Sequence, residues 1–352
     1  MKLIIPTIAA IGAVQASGLS DSLVELDFAG WKEHHGIRYH SASEDRARQL
    51  TFDSTKDFVI NHNIKFLQGK ETYWLGMNKF SAMSQEEFLA ERTMPSWEAG
   101  TYGQDPDGVS QYQCPTKYTS TTHSSSWEGA SHGQVTGVKD QGSCGSCWTF
   151  GANAAMEGAF CKSGKKNCNS WHGLSSQQLV DCASGNRNIS PYDNNGCNGG
   201  FQSNAMYYVF HDSKGIESWD DYPYKGKQST CAYNSSKSQG TIKSCGRLGS
   251  AKNQNNMCSM IEKAGITTVA IDASGREFQQ YNGGVYSSTS CSTTRLNHAV
   301  TATGFGTTSG KPTLTVKNSW GTGWGSKGYI YFARDGSHNT CGVYSEGQYA
   351  IM

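Results

Sequence analysis

All twelve cysteines of this 352-residue chain lie between Cys114 and Cys341, and the first 113 residues contain none. A high cysteine content in one part of a chain is typical of proteins that fold in an oxidising compartment, where disulfides persist. We therefore expect a disulfide-bonded globule after residue 113, preceded by a segment of a different kind.

The N-terminus also indicates the secretory pathway. A basic Lys2 is followed by an apolar run over residues 3–14 and then by two small residues. This order is typical of a cleaved signal peptide, which we predict at residues 1–16. A membrane anchor is the alternative, but the run is shorter than the about 20 residues of a membrane span. The expected destination is extracellular, lysosomal or vacuolar, and sequons at Asn188 and Asn234 are compatible with glycosylation there.

The charge balance argues against a nucleic-acid partner, and the apolar runs argue against a membrane span. Thirty Lys and Arg residues face 29 Asp and Glu residues, which leaves a net charge of +1. A nucleic-acid partner is not expected, because phosphates attract a basic face. No apolar run reaches the roughly 18 residues of a membrane span, so no span is expected either. Aromatic residues make up 11% of the chain, which argues against disorder throughout.

Composition divides the chain into successive parts. Residues 17–92 are charged, carry apolar residues on a helical period, and predict a helical prodomain. Residues 93–123 are rich in Pro, Gly, Ser and Thr and predict an exposed linker that contains the propeptide cleavage region. In the mature part, residues 124–352, short runs such as 267–271 and 329–332 predict strands. This is the layout of a zymogen.

The most reactive pattern surrounds Cys147, in QGSCGSCWTF at residues 141–150. Two glycines precede it, and the apolar residues that follow it predict a buried helix from Ser146 onward. Cys147 then lies in the first helical turn, where unpaired amides and the positive end of the helix dipole favour a thiolate. A thiolate is the nucleophilic form of cysteine, so this position indicates covalent catalysis.

A thiolate nucleophile needs a partner that transfers protons, and His298 is the best candidate. It lies 151 residues after Cys147, in a stretch that alternates like a strand. Asn318 follows 20 residues later and is placed to orient the imidazole, while Trp320 is placed to shield it from water. Gln141 supplies a side-chain donor that makes an oxyanion hole together with the Cys147 amide.

Four motifs, in this order, resemble the papain-like cysteine proteases of the cathepsin L branch. They are QGSCGSCW at 141–148, GCNGG at 196–200, NHAV at 297–300 and NSWGTGWG at 318–325. The resemblance implies an α+β fold with a helical and a β-barrel-like domain, the active-site cleft between them, and a helical prodomain in front. The roles it implies are Cys147 as nucleophile, His298 as general base and acid, Asn318 as orienting residue and Gln141 as oxyanion donor.

The prodomain carries the spaced helix residues of this family with two substitutions. They are Glu44, Arg48, Phe52, Thr55, Val59 and Asn63. LGMNKF at 75–80 resembles the second propeptide motif of the family. The resemblance implies that the propeptide is the chain's own intramolecular inhibitor. Ala82 stands where the family usually has an Asp that helps acid loosen the propeptide, which leaves the acid trigger of this chain open.

The resemblance also implies which residues bind an extended peptide substrate. Gly199 and Gly200 would expose backbone that pairs with the substrate like an added strand. The pocket for the second side chain before the cut, with its neighbours, comprises Phe201, Gln202, Ala270, Leu296, Asn297, Ala299 and Trp320. Glu346 falls at the pocket floor, where a carboxylate admits Arg as well as large apolar side chains. The alternatives are an ordinary turn at the glycines and an exposed Glu346.

The disulfides that the resemblance implies are Cys144–Cys197, Cys182–Cys231 and Cys291–Cys341, with Cys147 free. For the remaining cysteines we expect the pairs Cys161–Cys168 and Cys245–Cys258. Sequence alone does not establish connectivity. Cys114 is left over and is expected to leave with the propeptide.

Other classes of protein fit parts of the sequence. Cys144 and Cys147 form a Cys-x-x-Cys pattern, but a disulfide oxidoreductase has a strand before it, and here the approach is loop-like. A zinc site lacks a second closely spaced ligand pair, so no metal or cofactor is expected. An inactive binding protein on a protease scaffold usually lacks the nucleophile or the base. We predict a secreted zymogen of a monomeric cysteine endopeptidase that acts on proteins and peptides.

Overall fold

The structure, a computed structural model, describes residues 26–99, 111–185, 193–249, 253–336 and 338–352. The predicted signal peptide at 1–16 and the sequon at Asn188 lie outside these ranges. The sequon at Asn234 lies within them, and Asn234 is exposed at the start of a short 3₁₀ turn.

The described residues of the prodomain form three helices, and a polar side chain caps each one. They are α1 (Phe28–His35), α2 (Ala42–Leu67) and α3 (Gln85–Arg92). Asp27, Ser41 and Ser84 each accept a hydrogen bond from a first-turn amide that has no partner within its helix. Glu87 completes a capping box by accepting from the Ser84 amide. The prediction of a helical prodomain is confirmed.

The long helix α2 turns four of its six spaced motif residues toward the interior. Phe52, Thr55, Val59 and Asn63 are all buried. The Asn63 side chain makes two 2.9 Å hydrogen bonds with the main chain of Leu75. These bonds hold the strand β1 (Tyr73–Leu75) beside the helix.

Eleven further strands follow β1 in the described residues. They are β2 (Trp97–Glu98), β3 (Thr116–Tyr118), β4 (Trp127–Glu128), β5 (Ser244–Leu248), β6 (Thr267–Ile271), β7 (Tyr281–Tyr286), β8 (Arg295–Leu296), β9 (His298–Thr308), β10 (Lys311–Lys317), β11 (Tyr329–Ala333) and β12 (Gly347–Ile351). The runs predicted at 267–271 and 329–332 correspond to β6 and β11. The strands β2 and β8 pair only with each other, and the other ten form one sheet.

The barrel-like domain that the resemblance implies is a large sheet that stays unclosed. Its order is β1-β7-β11-β10-β9-β6-β12-β5-β3, with β4 paired to β9, and in the described ranges this path does not close. Strands from the N-terminal segments occupy both ends: β1 pairs with β7, and β3 pairs with β5. Each edge of the peptidase sheet is therefore covered by an N-terminal strand, and the edges do not meet each other.

The helix α4 (Cys147–Lys162) packs on this sheet and forms the centre of the peptidase part. The other α-helices in the described residues of this part are α5 (Ser176–Cys182), α6 (Gln202–Tyr207), α7 (Gln254–Lys263) and α8 (Arg276–Gln279). All residues of α4 from its start to Phe160 are buried, between β6, β9 and β12 on one side and α5 and α6 on the other. A Cβ on Gly158 would lie 2.6 Å from Ile266, so glycine allows the close approach.

Five disulfides are present in the described part of the chain. They are the three implied pairs Cys144–Cys197, Cys182–Cys231 and Cys291–Cys341, the expected pair Cys161–Cys168, and Cys114–Cys245. The expected Cys245–Cys258 pair is wrong, and Cys258 is a buried free thiol on α7.

The strand β3 explains this difference. It runs parallel to β5 with Thr116 opposite Gly246, which brings the Cα atoms of Cys114 and Cys245 to 5.2 Å. A cysteine bonded to a strand of the peptidase sheet does not leave freely with the propeptide. The expectation that Cys114 is lost on maturation is therefore wrong for the bonded chain.

Loss of the Cys114–Cys245 bond is expected to destabilise the protein far more than loss of the free thiol. The bond joins positions 131 residues apart, and disulfides that close long loops contribute about 2–4 kcal/mol. We expect Cys114→Ser to lower the unfolding midpoint of the proenzyme by roughly 5–10 °C. Cys258→Ala, the control, should cost about 1 kcal/mol or less. Thermal unfolding followed by circular dichroism measures both. Equal shifts, or a Cys245–Cys258 peptide in a non-reducing digest, would contradict the pairing.

Candidate active site

Cys147 is the first residue of α4 and is fully buried. The backbone amide of Ala299 donates a hydrogen bond to its Sγ over 3.5 Å. Ala299 belongs to β9, directly after His298. The start of the helix and the start of the strand therefore meet at the thiol.

His298 and Asn318 lie at neighbouring strand ends. The strands β9 and β10 are antiparallel with Thr301 opposite Lys317, so Asn318, which follows β10, lies beside the first residues of β9. His298 Nε2 donates a hydrogen bond to Asn318 Oδ1 over 2.8 Å. Nδ1 of His298 has no hydrogen-bond partner among the described residues, so it can accept a proton from another group.

The Trp320 ring lies against the imidazole of this pair. It stacks on the His298 imidazole, with centroids 4.6 Å apart and planes inclined by 25°. Both side chains are fully buried, and Asn318 is nearly so. Water is thus excluded from the bond between imidazole and amide.

Gln141 is held with its amide nitrogen toward the site. Ser319 Oγ donates to its Oε1 at 2.7 Å, which leaves Nε2 as the outward donor. Nε2 donates to the carbonyl of Cys144 at 2.9 Å and to that of Arg92 at 3.2 Å. Arg92 belongs to the prodomain helix α3, so a propeptide carbonyl occupies the predicted oxyanion donor.

The propeptide continues through the predicted substrate groove. The Met94 amide donates to the carbonyl of Asn297 at 2.9 Å, and Trp97 in β2 pairs with Leu296 in β8. A Cβ on Gly199 would lie 2.8 Å from the Met94 side chain, and the glycine has φ of +106°. The backbone surface expected to bind substrate is therefore covered by residues 93–99.

Four of the predicted pocket side chains gather in one buried cluster with Cys147. They are Phe201, Ala270, Leu296 and Ala299, and the propeptide residues Met94 and Trp97 join the same cluster. The Trp97 ring meets that of Phe201 edge-on at 5.5 Å. A propeptide side chain thus packs against the predicted specificity residues.

The remaining predicted residues have other surroundings. Gln202 Nε2 donates to the main chain of Val269 in β6 at 3.3 Å. A Cβ on Gly200 would lie 2.5 Å from Asn194 Oδ1, so this glycine packs against a side chain. Glu346 is buried immediately before β12. Its place at the pocket floor stays a prediction.

Sequence reasoning missed the aromatic contact between the propeptide and Trp320. Phe80 and Phe88 meet the Trp320 ring edge-on at 5.9 and 5.1 Å, so propeptide aromatics lie behind the ring that covers His298. The main chain adds to this contact, because Gln279 Nε2 donates to the Phe80 carbonyl at 3.0 Å. Phe80 lies in the LGMNKF motif, which was the signal in the sequence for a propeptide contact. The motif does not show which side chain the Phe80 ring contacts.

Burial determines the charge state of the covered site. It raises the pKa of the Cys147 thiol to about 12, although hydrogen bonds from the Ala299, Trp148 and Cys147 amides act in the opposite direction. It lowers the pKa of His298 to about 4, against the opposing effect of the Asn318 hydrogen bond. The helix start favours a thiolate, but exclusion of water outweighs it here. Burial under the propeptide therefore favours the neutral thiol and the neutral imidazole, and the ion pair stays a prediction for the processed enzyme.

Comparison with known proteins identifies the family. Residues 122–351 match the family described as Papain family cysteine protease, and residues 28–88 match the Cathepsin propeptide inhibitor domain. The chain belongs to the papain family. It is a papain-like cysteine endopeptidase of the cathepsin L type and carries a propeptide. Within the described ranges, none of the helices combines the length and apolar character that crossing a membrane requires.

Relatives in the papain family match over nearly their full length. Digestive cysteine proteinase 1 of Homarus americanus is 36% identical over 337 residues, which cover 95% of this chain and 97% of the relative. Cathepsin L of Sarcophaga peregrina is 35% identical over 353 residues and covers 99% of both. The solved structure of digestive procathepsin L 3 from the larval midgut of Tenebrio molitor has a TM-score of 0.79. It shares 34% identity and covers 94% of this chain and 100% of that one. The predicted papain-like fold is confirmed.

Removal of the propeptide is expected to shift alkylation of Cys147 toward acid pH. In the proenzyme the thiolate is scarce until the alkaline range, so the iodoacetamide rate should rise only there. When water reaches the site, an ion pair becomes stable and the rate should be nearly constant from about pH 5 to 8. We expect the processed enzyme to react at least about 100-fold faster at pH 6.

The Cys258→Ala background removes the other free thiol of the described residues from this measurement, and Cys147→Ala in the same background gives the blank. Steric exclusion alone would slow the proenzyme equally at every pH. Rate profiles of the same shape in the two forms would therefore contradict the charge argument.

Proposed function

We propose that Cys147 is the nucleophile and His298 the general base and acid of this protease. In the proposal Asn318 orients the imidazole, and Gln141 with the Cys147 amide holds the oxyanion. The main support is the meeting of Cys147 with the start of β9, where His298 is bonded to Asn318 at 2.8 Å. The propeptide carbonyl on Gln141 Nε2 marks that donor as one that binds a carbonyl oxygen.

Catalysis begins when the propeptide has left the cleft. The Cys147 proton passes to His298 Nδ1, and the thiolate attacks the substrate carbonyl carbon. The negative charge on the carbonyl oxygen is held by Gln141 Nε2 and the Cys147 amide. His298 then protonates the leaving amine as the C–N bond breaks. Water, deprotonated by His298, attacks the thioester and releases the carboxylate product and the thiol.

The alternative functions fit the site less well. Cys144 is bonded to Cys197, so its sulfur is not available for a redox pair with Cys147. An inactive binding scaffold would not need both an oriented imidazole and an oriented amide donor. Protein and peptide substrates, a monomeric state, and secretion or retention in a lysosome or vacuole remain part of the proposal. The five disulfides and the predicted signal peptide support passage through the secretory pathway.

Turnover by the processed enzyme tests this function. Fluorogenic peptides with Phe or Arg two residues before the cut, each with and without an epoxide thiol-protease inhibitor, should show inhibitor-sensitive cleavage. Cys147→Ala should lower the rate by at least about 10⁴-fold while the fold is kept, because the covalent step is lost. Cys258→Ala, the other free thiol, should keep at least half of the activity. Residual turnover in Cys147→Ala would reject the assigned nucleophile. Cleavage of the Phe peptide alone would remove the pocket role of Glu346.

The processed enzyme is expected to retain the residues around Cys114, so cleavage of the propeptide does not release this part of the chain. Besides the disulfide, the Tyr112 amide donates to Asn204 Oδ1 at 2.7 Å, and its ring packs on Tyr207 at 4.7 Å. Mass spectrometry of the processed enzyme before and after reduction measures this. One chain that includes Cys114, or a Cys114 peptide released only by reduction, supports retention. A processed enzyme without Cys114 before reduction would contradict it.

A further inference from the structure

Tyr224 lies outside the predicted site but connects two of its segments. Its hydroxyl donates to the main-chain carbonyl of Gln141 at 2.7 Å. The same oxygen lies 2.6 Å from Ser146 Oγ. Gln141 carries one proposed oxyanion donor, and Ser146 directly precedes Cys147, whose amide is the other.

The direction of these hydrogen bonds follows from the number of protons. The tyrosine hydroxyl has one proton, and the Gln141 carbonyl can only accept it. Ser146 Oγ is then the donor to the tyrosine oxygen at 2.6 Å, and the Cys144 carbonyl at 3.4 Å is a more distant acceptor for the same proton. Ser146 is the N-cap residue of α4, yet its side chain makes no capping bond to the helix. A serine at this position usually caps the helix, and here its hydroxyl is directed to Tyr224 instead.

The tyrosine ring is fixed by its neighbours. Phe150 of α4 meets it edge-on at 5.1 Å, and Trp219 stacks on it at 5.8 Å with planes inclined by 22°. Burial raises the pKa of Tyr224 to about 12, so its hydroxyl keeps its proton at neutral and acidic pH. A rigid, protonated donor is suited to hold a carbonyl at a constant position.

We propose that Tyr224 is a positioning residue of the oxyanion hole. Its hydroxyl holds the Gln141 main chain and Ser146 at a constant separation, so the Gln141 side chain and the Cys147 amide converge on one oxygen. This inference rests on the proposed protease function. Gln141 is also held from the other side, because its amide donates to the Ser319 carbonyl at 2.8 Å. The competing expectation is that Ser319 alone is sufficient.

The test compares the processed wild-type enzyme with Tyr224→Phe, and Tyr222→Phe is the matched control. Tyr222 lies on the same loop, but its hydroxyl bonds Asp181 and the Ala232 amide, away from residues 141–146. The readouts are kcat and KM on a fluorogenic peptide, inhibition by a peptide aldehyde, and alkylation by iodoacetamide. The aldehyde forms a hemithioacetal whose oxygen uses the oxyanion hole, whereas alkylation does not use it.

For Tyr224→Phe we expect kcat to fall about tenfold, less than the 10²–10³-fold loss for a deleted oxyanion donor. The aldehyde inhibition constant should rise by a similar factor, while KM and the alkylation rate stay within about twofold. Tyr222→Phe should leave all four values within about twofold. If Tyr224→Phe does not fold, Ser146→Ala removes the other end of the contact and should lower kcat a few-fold in the same pattern.

Two results would overturn the inference. A kcat of Tyr224→Phe within about twofold of wild type would show that Ser319 is sufficient. A parallel fall in kcat and in alkylation would show that the tyrosine acts on the thiol or on the fold. Failure of the protease function itself is distinguishable, since wild-type enzyme would then neither cleave the peptide nor bind the aldehyde.

Discussion

The contact between the start of α4 and the start of β9 is the interaction on which the site depends. One strand end supplies both the amide that donates to Cys147 Sγ and the imidazole of His298. The first turns of the helix can approach the sheet because Gly151 has no Cβ where Thr268 Oγ1 of β6 lies. Side chains alternate along a strand, so a slip of one residue in β9 would turn His298 away from the thiol. The strand pairing is thus part of the active-site geometry.

The effect of burial at this contact depends on whether the propeptide is bound. With Phe80 and Phe88 against Trp320 and the Arg92 carbonyl on Gln141, water is excluded and the neutral forms of thiol and imidazole are favoured. The bonds of His298 to Asn318 and of Gln141 to Ser319 are already present in this state. Release of the propeptide therefore does not have to create the orientation of the imidazole, and it frees Gln141 Nε2 from the Arg92 carbonyl.

The difference between local and long-range information explains what the sequence could predict. Cys147 at a helix start and His298 in an alternating strand are local patterns, and the structure brings both to one place. The Cys114–Cys245 bond depends on a parallel pairing of segments 131 residues apart, for which the sequence contains no register signal. The open sheet has the same origin, since its end strands come from N-terminal segments. Tyr224 was missed because its role depends on two hydrogen bonds across the fold and on no motif.

Because position 82 is an alanine, the acid response of the prodomain has to come from other groups. Arg48 donates to the Ala82 carbonyl at 3.3 Å and to Glu87, and this bond lowers the pKa of Glu87 from its ordinary value of 4.5. The stabilisation from Glu87 is therefore present above pH 4.5 and is lost only as the pH falls further. Burial lowers the pKa of His35 from 6.5 to about 4 and also lowers that of His62. The unfolded prodomain binds these protons as the pH falls below 6.5, before the folded form does, so its stability decreases from pH 6.5 toward 4. In mild acid the histidines of α1 and α2 weaken the prodomain before the carboxylate does.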